Sequence, residues 1–275
     1  MVGLEPHLIL RTRRANQVEK DREENDADSF GHVGNILFDR LAGAKIHTCT
    51  PGEYGRVGSK ALVETLCADL VSASASSSNR KVYPIPVGGS NGLGTWGYIE
   101  AIKEFMLQLD SNNESGAETD TDTDIGDIDH VVFACGSGGT ATGITLGLSL
   151  AFRNANKNVP QIHAVGVCDD PDYFYKEISS IADEMGLDLS EVLSESEYET
   201  YTNIEEFVRS LLTVHQGKGL GYASSSAEEL EFIVDFALET GVVLDPVYSG
   251  KALFHFIREM QEDPDTYRNS RVVFW

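Results

Sequence analysis

Short apolar runs alternate along this chain with stretches whose apolar residues recur every three or four positions. HLIL (7–10), KIHT (45–48), VYPIPV (82–87), HVVFAC (130–135), IHAVGV (162–167), VVL (242–244) and VVFW (272–275) read as strands. Helical spacing joins Ile36, Leu37 and Leu41, then Val57, Ala61, Leu62, Thr65 and Leu66. It recurs in Tyr98, Ile99, Ile102, Phe105, Met106 and Leu109, and again in Ile204, Phe207, Val208, Leu211 and Leu212. Ser226 and Glu229 have capping-box spacing ahead of Leu230, Ile233, Val234 and Ala237, and Gly241 closes that helix. From Thr140 to Phe152 nearly every residue is apolar or small, which predicts a helix buried against a sheet. Gly143 and Gly147 share one face of it and suit close approach to a strand. The β–α alternation predicts an α/β fold, with parallel sheets carrying helices on both faces.

Three polar stretches punctuate the pattern. Residues 13–32 are too polar for a core and read as a long loop. The serine-rich 72–80 reads as a flexible connection. A boundary near residue 80 divides a small α/β domain (1–80) from a larger one (81–275). Residues 110–129 carry eight acidic side chains and no basic one, the pattern of a solvated surface insertion (110–128). A calcium loop is not spelled there, because the alternating ligands are not closed by a glycine and a later glutamate.

The net charge of −23 over 275 residues argues against nucleic acid or an anionic membrane as partner. Cys49, Cys67, Cys135 and Cys168 are scattered without a C-x-x-C pair, which favours a reducing interior. MVGLEPHLIL lacks the basic-then-apolar order of a signal peptide, and no run has the length of a membrane span, so the expectation is a cytoplasmic protein. His130 and His163 fall in apolar strands and read as core, the remaining five histidines show no ligand spacing, and no metal site is expected.

Chemistry concentrates in ACGSGGTATG (134–143), where a strand passes into a helix. Packing explains Gly143 and Gly147. It does not explain Gly136, Ser137, Gly138, Gly139 and Thr140, which lie where unpaired N–H groups and the positive helix end favour an anion. The spacing of Gly136, Gly138 and Ala141 formally matches a dinucleotide fingerprint. The acidic residue expected about 20 positions on is missing, Asp169 lying 28 past Ala141. A Walker A loop is excluded, since no Lys-Ser or Lys-Thr closes it. PVGGSNGLGTWGYIEAI (86–102) repeats the pattern of a glycine cluster between strand and helix.

GGSNGLGTWGYIEA, ACGSGGTATG and LDPVYSGKA (244–252), in that order and spacing, resemble the D-cysteine desulfhydrase and 1-aminocyclopropane-1-carboxylate (ACC) deaminase family. These are pyridoxal-phosphate enzymes of the tryptophan synthase β type. VEKDREENDADSFGHVGNILFDRLAGAKIH (18–47) is similar too, with a longer acidic loop. The resemblance implies the two-domain fold of that type (PLP fold type II), a small amino-acid substrate and a homodimer. It also implies that Gly136, Ser137, Gly138, Gly139 and Thr140 cradle the phosphate of pyridoxal 5′-phosphate. Tyr222 and Tyr248 match two tyrosines beside the cofactor, one or both handling protons. A phenol near a cationic cofactor can have a lowered pKa, whereas without the family each tyrosine reads as packing with a bonded hydroxyl. Ser249 follows Tyr248 where deaminases carry a glutamate, which leans towards D-cysteine desulfhydrase, and it also suits a helix cap.

Lys218 and Lys251, near the two tyrosines, read as structural or solvent-facing. None of the nine lysines stands in the family's glycine-asparagine-lysine motif, and its serine-asparagine-histidine and histidine-threonine-glycine-glycine motifs have no match either. The expectation is a chain truncated at both ends. Its function reads as a lyase of the desulfhydrase type, against ACC ring opening, a non-catalytic remnant or a nicotinamide-dependent enzyme.

Overall fold

The computed structural model describes residues 4–11, 34–73, 81–114 and 128–275, in two compact units that divide between Val87 and Gly88. The expected loop 13–32, most of the expected connection 72–80 and most of the acidic segment lie outside the described residues, while Ser72 and Ala73 of that connection are helical.

In the first unit, β1 (His7–Arg11) pairs in parallel with β2 (Lys45–Cys49), His7 opposite Lys45. Helix α1 (Asn35–Leu41) precedes β2. Thr50 then starts α2 (Pro51–Val57): its hydroxyl accepts from the Glu53 N–H at 3.0 Å, and the Glu53 carboxylate accepts from the Thr50 N–H at 2.9 Å. Proline at the first helical position and Gly58 after the last bound that helix, and α3 (Ser59–Ala73) follows.

The second unit is built on a four-stranded parallel sheet of β3 (His130–Cys135), β4 (Gln161–Gly166), β5 (Leu212–Gln216) and β6 (Val272–Phe274), in the order β5-β4-β3-β6. Its helices are α4 (Gly92–Glu114), α5 (Gly139–Asn154), α6 (Pro171–Glu184), α7 (Leu189–Val192), α8 (Glu195–Tyr198), α9 (Ile204–Leu211), α10 (Ala227–Thr240), α11 (Ser249–Glu262) and α12 (Pro264–Tyr267). Helices cover both faces of the sheet. Val131, Phe133, Ile162, Ala164, Leu212 and Val214 are buried on one face against α4, α5, α6 and α9. Val132 and Val165 are buried on the other against Ala252 and Phe256 of α11.

Between those valines the second face carries histidines. His130 Nδ1 lies 3.0 Å from His163 Nε2, and His163 Nδ1 lies 2.9 Å from His215 Nε2, so three rings cross β3, β4 and β5 in one hydrogen-bonded ladder. Phe256 and Tyr267 pack on it. Burial pushes the His163 imidazole down to about 3, with its two histidine neighbours acting in the same direction. His130 and His163 are thus core residues, as their position in apolar strands implied.

Five expectations need correction. Residues 82–87 form no strand: 81–86 are irregular and run into the 3₁₀ turn Val87–Gly89, and two prolines remove ladder donors there. VVL (242–244) joins no ladder among the described residues, being only three residues between the left-handed Gly241 and the turn at Asp245. Leu212 is not the end of a helix but the start of β5, an edge strand whose alternation is short enough to be lost behind α9. Gly143 and Gly147 admit a helix rather than a strand. A Cβ on Gly143 would meet Tyr98 and come within 2.9 Å of the Thr95 carbonyl, and one on Gly147 would lie 2.9 Å from Ile102, all on α4. The start of the acidic segment is also helical, since α4 runs to Glu114.

Candidate active site

Chain order places β4 and β5 on one side of β3 and β6 on the other, so the strand order reverses at β3. Open parallel sheets bind ligands beyond the carboxyl ends of their strands at such a point. The loop Gly136–Gly138 lies there, and α5 starts with no acidic residue in its first turn. Its N–H groups and positive end are therefore uncompensated by a local carboxylate.

Close packing shapes this loop. Gly138 takes φ +88°, which disfavours any residue with a Cβ. A Cβ on Gly139 would stand 2.6 Å from the Ser90 hydroxyl, and one on Gly136 would stand 2.9 Å from the Tyr248 ring. The Ser90 and Ser137 hydroxyls are 2.7 Å apart, and the Gly139 N–H donates to Ser90 Oγ at 3.2 Å. Thr140 donates to the Tyr98 hydroxyl at 2.7 Å. The Cys168 thiol donates to the Gly136 carbonyl at 3.1 Å, and burial raises the thiol's pKa. The second glycine cluster thus leans on the first, with Gly88 against Ser137.

Tyr248 faces Tyr222 across a 2.8 Å hydroxyl–hydroxyl hydrogen bond, their rings edge to face at 6.2 Å. Both are half-exposed. Burial, then the Tyr222 hydroxyl, raises the Tyr248 pKa, with Cys168 and Asp245 adding to the effect.

Ser249 is not the cap of α11. The Asp245 carboxylate accepts from the N–H groups of Val247, Tyr248 and Ser249 at 2.7–2.8 Å, while the Ser249 hydroxyl donates to that carboxylate at 2.6 Å and accepts from the Asp245 N–H at 2.9 Å. Lys218 pairs with Asp169 at 3.9 Å. Lys251 is fully buried, its Nζ donating to the carbonyls of Lys218, Gly221 and Ser224 at 2.8, 3.0 and 2.8 Å.

Residues 24–275 match the family described as pyridoxal-phosphate dependent enzyme. The chain belongs to this family. Among its relatives, the protein named bifunctional D-cysteine desulfhydrase/1-aminocyclopropane-1-carboxylate deaminase, mitochondrial, of Arabidopsis thaliana is 38% identical over 273 residues, which cover 99% of this chain and 57% of the relative. A putative 1-aminocyclopropane-1-carboxylate deaminase of Thermotoga maritima is 33% identical, over 80% of this chain and 58% of that protein. A crystal structure of an ACC deaminase homologue shares the fold, with a TM-score of 0.62 and 22% identity over 99% of this chain and 65% of that one. The chain therefore spans a little over half the length of the curated relatives, 57% and 58%.

The geometry is compatible with the family's cofactor at its phosphate end: the loop leads into a positive helix end with no acidic residue in its first turn, and Gly136 and Gly139 let the Tyr248 ring and Ser90 close directly on its backbone. Sequence reading brought together the loop, Tyr222 and Tyr248. It missed Ser90, Tyr98 and Cys168, although GGSNG was itself a signal for Ser90. No described group of three or more His, Cys, Asp or Glu is arranged to hold a metal, and no described helix is long and apolar enough to cross a membrane.

Proposed function

We propose that this chain carries the cofactor-phosphate site and the phenol pair of a D-cysteine desulfhydrase-type lyase. The observation that carries the reading is the Gly136–Thr140 loop, at the strand-order reversal, with the Tyr248 ring packed on its first glycine. Gly136, Ser137, Gly138, Gly139 and Thr140 hold the phosphate through backbone N–H groups and the end of α5. Bound there, pyridoxal 5′-phosphate supplies an electron sink for breaking bonds at the substrate's α and β carbons. Tyr248, bonded to Tyr222, holds a proton at its phenolic oxygen and passes it across the 2.8 Å contact. The net reaction takes D-cysteine and water through the loss of Cα–H and C–S bonds to pyruvate, ammonia and hydrogen sulfide.

Ser249 supports D-cysteine over ACC. Position 249 carries a hydroxyl, bonded to the Asp245 carboxylate, where the deaminase pattern has a glutamate. The Arabidopsis relative's name covers both activities, so ACC ring opening stays as the second reading. The working unit is proposed to be a homodimer with a small amino acid as substrate. For the compartment we retain the cytoplasm, which fractionation must weigh against the mitochondrial name of that relative.

The test titrates pyridoxal phosphate into the 275-residue chain, with inorganic phosphate as competitor. It then assays sulfide from D-cysteine in a chimera carrying the Arabidopsis segments outside the aligned region. Saturable binding displaced by phosphate is expected, with D-cysteine preferred to ACC and the preference reduced by Ser249→Glu. Binding indifferent to phosphate, or ACC preferred with Ser249 in place, overturns the reading.

A further inference from the structure

The buried ammonium of Lys251 has no part in the chemistry above, yet it bonds to three carbonyls of one loop. Three acceptors at 2.8–3.0 Å use three N–H donors, which only the charged amine possesses. The loop around it is costly to form. Gly219, Gly221 and Ala223 all have positive φ, at 53°, 122° and 56°, and alanine gains nothing from that region. Two of the same carbonyls also accept backbone bonds that close successive turns: Gly221 N–H to Lys218 at 3.0 Å and Ser224 N–H to Gly221 at 3.1 Å. The buried Glu229 carboxylate flanks this site: a Cβ on Gly219 would lie 2.9 Å from its Oε1 and 3.5 Å from the lysine Nζ. Tyr222 sits inside the loop, and Tyr248 stands at the start of the helix that carries Lys251.

We propose that Lys251 is a positioning residue for the phenol pair: its ammonium is the internal cation around which residues 218–224 fold, fixing Tyr222 against Tyr248. The proposal rests on the functional reading only in giving that pair a use. One side chain ties the loop of one phenol to the helix of the other. Its charge matters because carbonyl dipoles aimed at one buried point repel one another unless a cation stands there.

The test replaces tyrosine with 3-fluorotyrosine, whose lower phenol pKa brings titration below the range of alkaline unfolding, and follows the ¹⁹F resonances. Tyr222→Phe and Tyr248→Phe assign the two signals. In the wild-type chain the Tyr248 signal is expected to titrate after those of exposed tyrosines, since burial, Tyr222, Cys168 and Asp245 all face it. In Lys251→Met both signals should move to the exposed-tyrosine position and the delay should vanish. In Lys251→Ala, ammonium chloride should restore signals and delay, and tetramethylammonium chloride at equal ionic strength should not. Folded variants that lose thermal stability but keep both signals in place overturn the proposal, because the lysine is then only a staple. If neither variant folds, ¹⁵N-lysine spectra of the wild-type chain decide. One slowly exchanging ammonium in contact with the Tyr222 loop supports the proposal, and rapid exchange at Lys251 overturns it. No step uses cofactor or turnover, so failure to bind pyridoxal phosphate would refute the functional reading alone.

Discussion

The two faces of the four-stranded sheet meet at the same site but are held by different forces. Under α5 and α6 the sheet's buried side chains are apolar, and the glycine loop is the end of that packing. Under α11 the face is threaded with polar groups: the histidine ladder, and the helix that brings Tyr248 and Lys251. The first face gains by removing hydrocarbon from water and is indifferent to pH. The second depends on each buried polar group keeping its partner, so its strength varies with protonation. A site at their junction thus has one rigid wall and one conditional wall.

The contrast is sharpest for a cavity on the first face. Phe133 is 1% exposed at the centre of the larger cluster. Phe133→Ala should cost about 3–5 kcal/mol, measured by urea unfolding, with the same loss at neutral and at mildly acid pH. A loss that shrinks or grows with pH would mean the faces are not independent.

Next in size is an overpacked loop. Gly139→Val places a Cβ 2.6 Å from the Ser90 hydroxyl and 3.1 Å from its Cα, which is backbone and cannot swing away. Affinity for pyridoxal phosphate should fall by about 100-fold, or about 3 kcal/mol, by fluorescence titration. Unchanged affinity would remove the loop from the phosphate site.

The conditional face should show itself in acid. An unfolded histidine takes up its proton near pH 6.5, whereas His163 in the ladder resists until about pH 3. The unfolded state therefore binds more protons between those values, and stability is complete above the unfolded pKa and falls as pH drops towards the folded one. His130 and His215 are lowered as well, with Glu259 opposing at His215 and Asp129 at His130. The His163 contribution alone should reach about 2–3 kcal/mol at roughly pH 4.5, taking about 1.4 kcal/mol per unit. His163→Gln should flatten that dependence. A wild-type chain equally stable at both pH values would sink the assignment.

How legible each wall was follows from the same physics. β3, the loop and α5 form one continuous segment, so periodicity and the glycine cluster exposed them directly. So too did the capping box at Ser226, whose partner Glu229 is three residues on. The contacts that periodicity did not expose join residues far apart in sequence: Ser90 with Ser137 at the loop, and His163 with His215 and Lys251 with Lys218 on the polar wall. No local pattern announces such pairs, and an isolated histidine or lysine reads as packing or surface. The strand at 212–216 escaped for a related reason. Its Leu212 also completes the apolar stripe of α9, and only the pairing with β4 assigns it to the sheet.

The smallest expected effect lies on the conditional wall, at the turn that aims Tyr248. Asp245 accepts three N–H groups at the start of α11, and its carboxylate holds the Ser249 hydroxyl. Partial burial raises its pKa, but the bonds from Ser249, Tyr248 and Val247 outweigh this and leave it lowered. A carboxylate depressed in the folded state stabilises above its unfolded pKa and loses that contribution as pH falls through the folded value. Asp245→Ala should therefore cost about 1 kcal/mol at neutral pH, the usual scale for a lost helix cap, and progressively less in acid. Ser249→Ala should cost less still, since the carboxylate keeps its three backbone donors. Thermal unfolding of the two variants and the double variant, at neutral and acid pH, measures this. Equal losses for Asp245→Ala and Ser249→Ala would show that the serine, not the carboxylate, organises the turn. The Tyr248 ring would then owe its place on Gly136 to the side chain proposed above to bear on substrate choice.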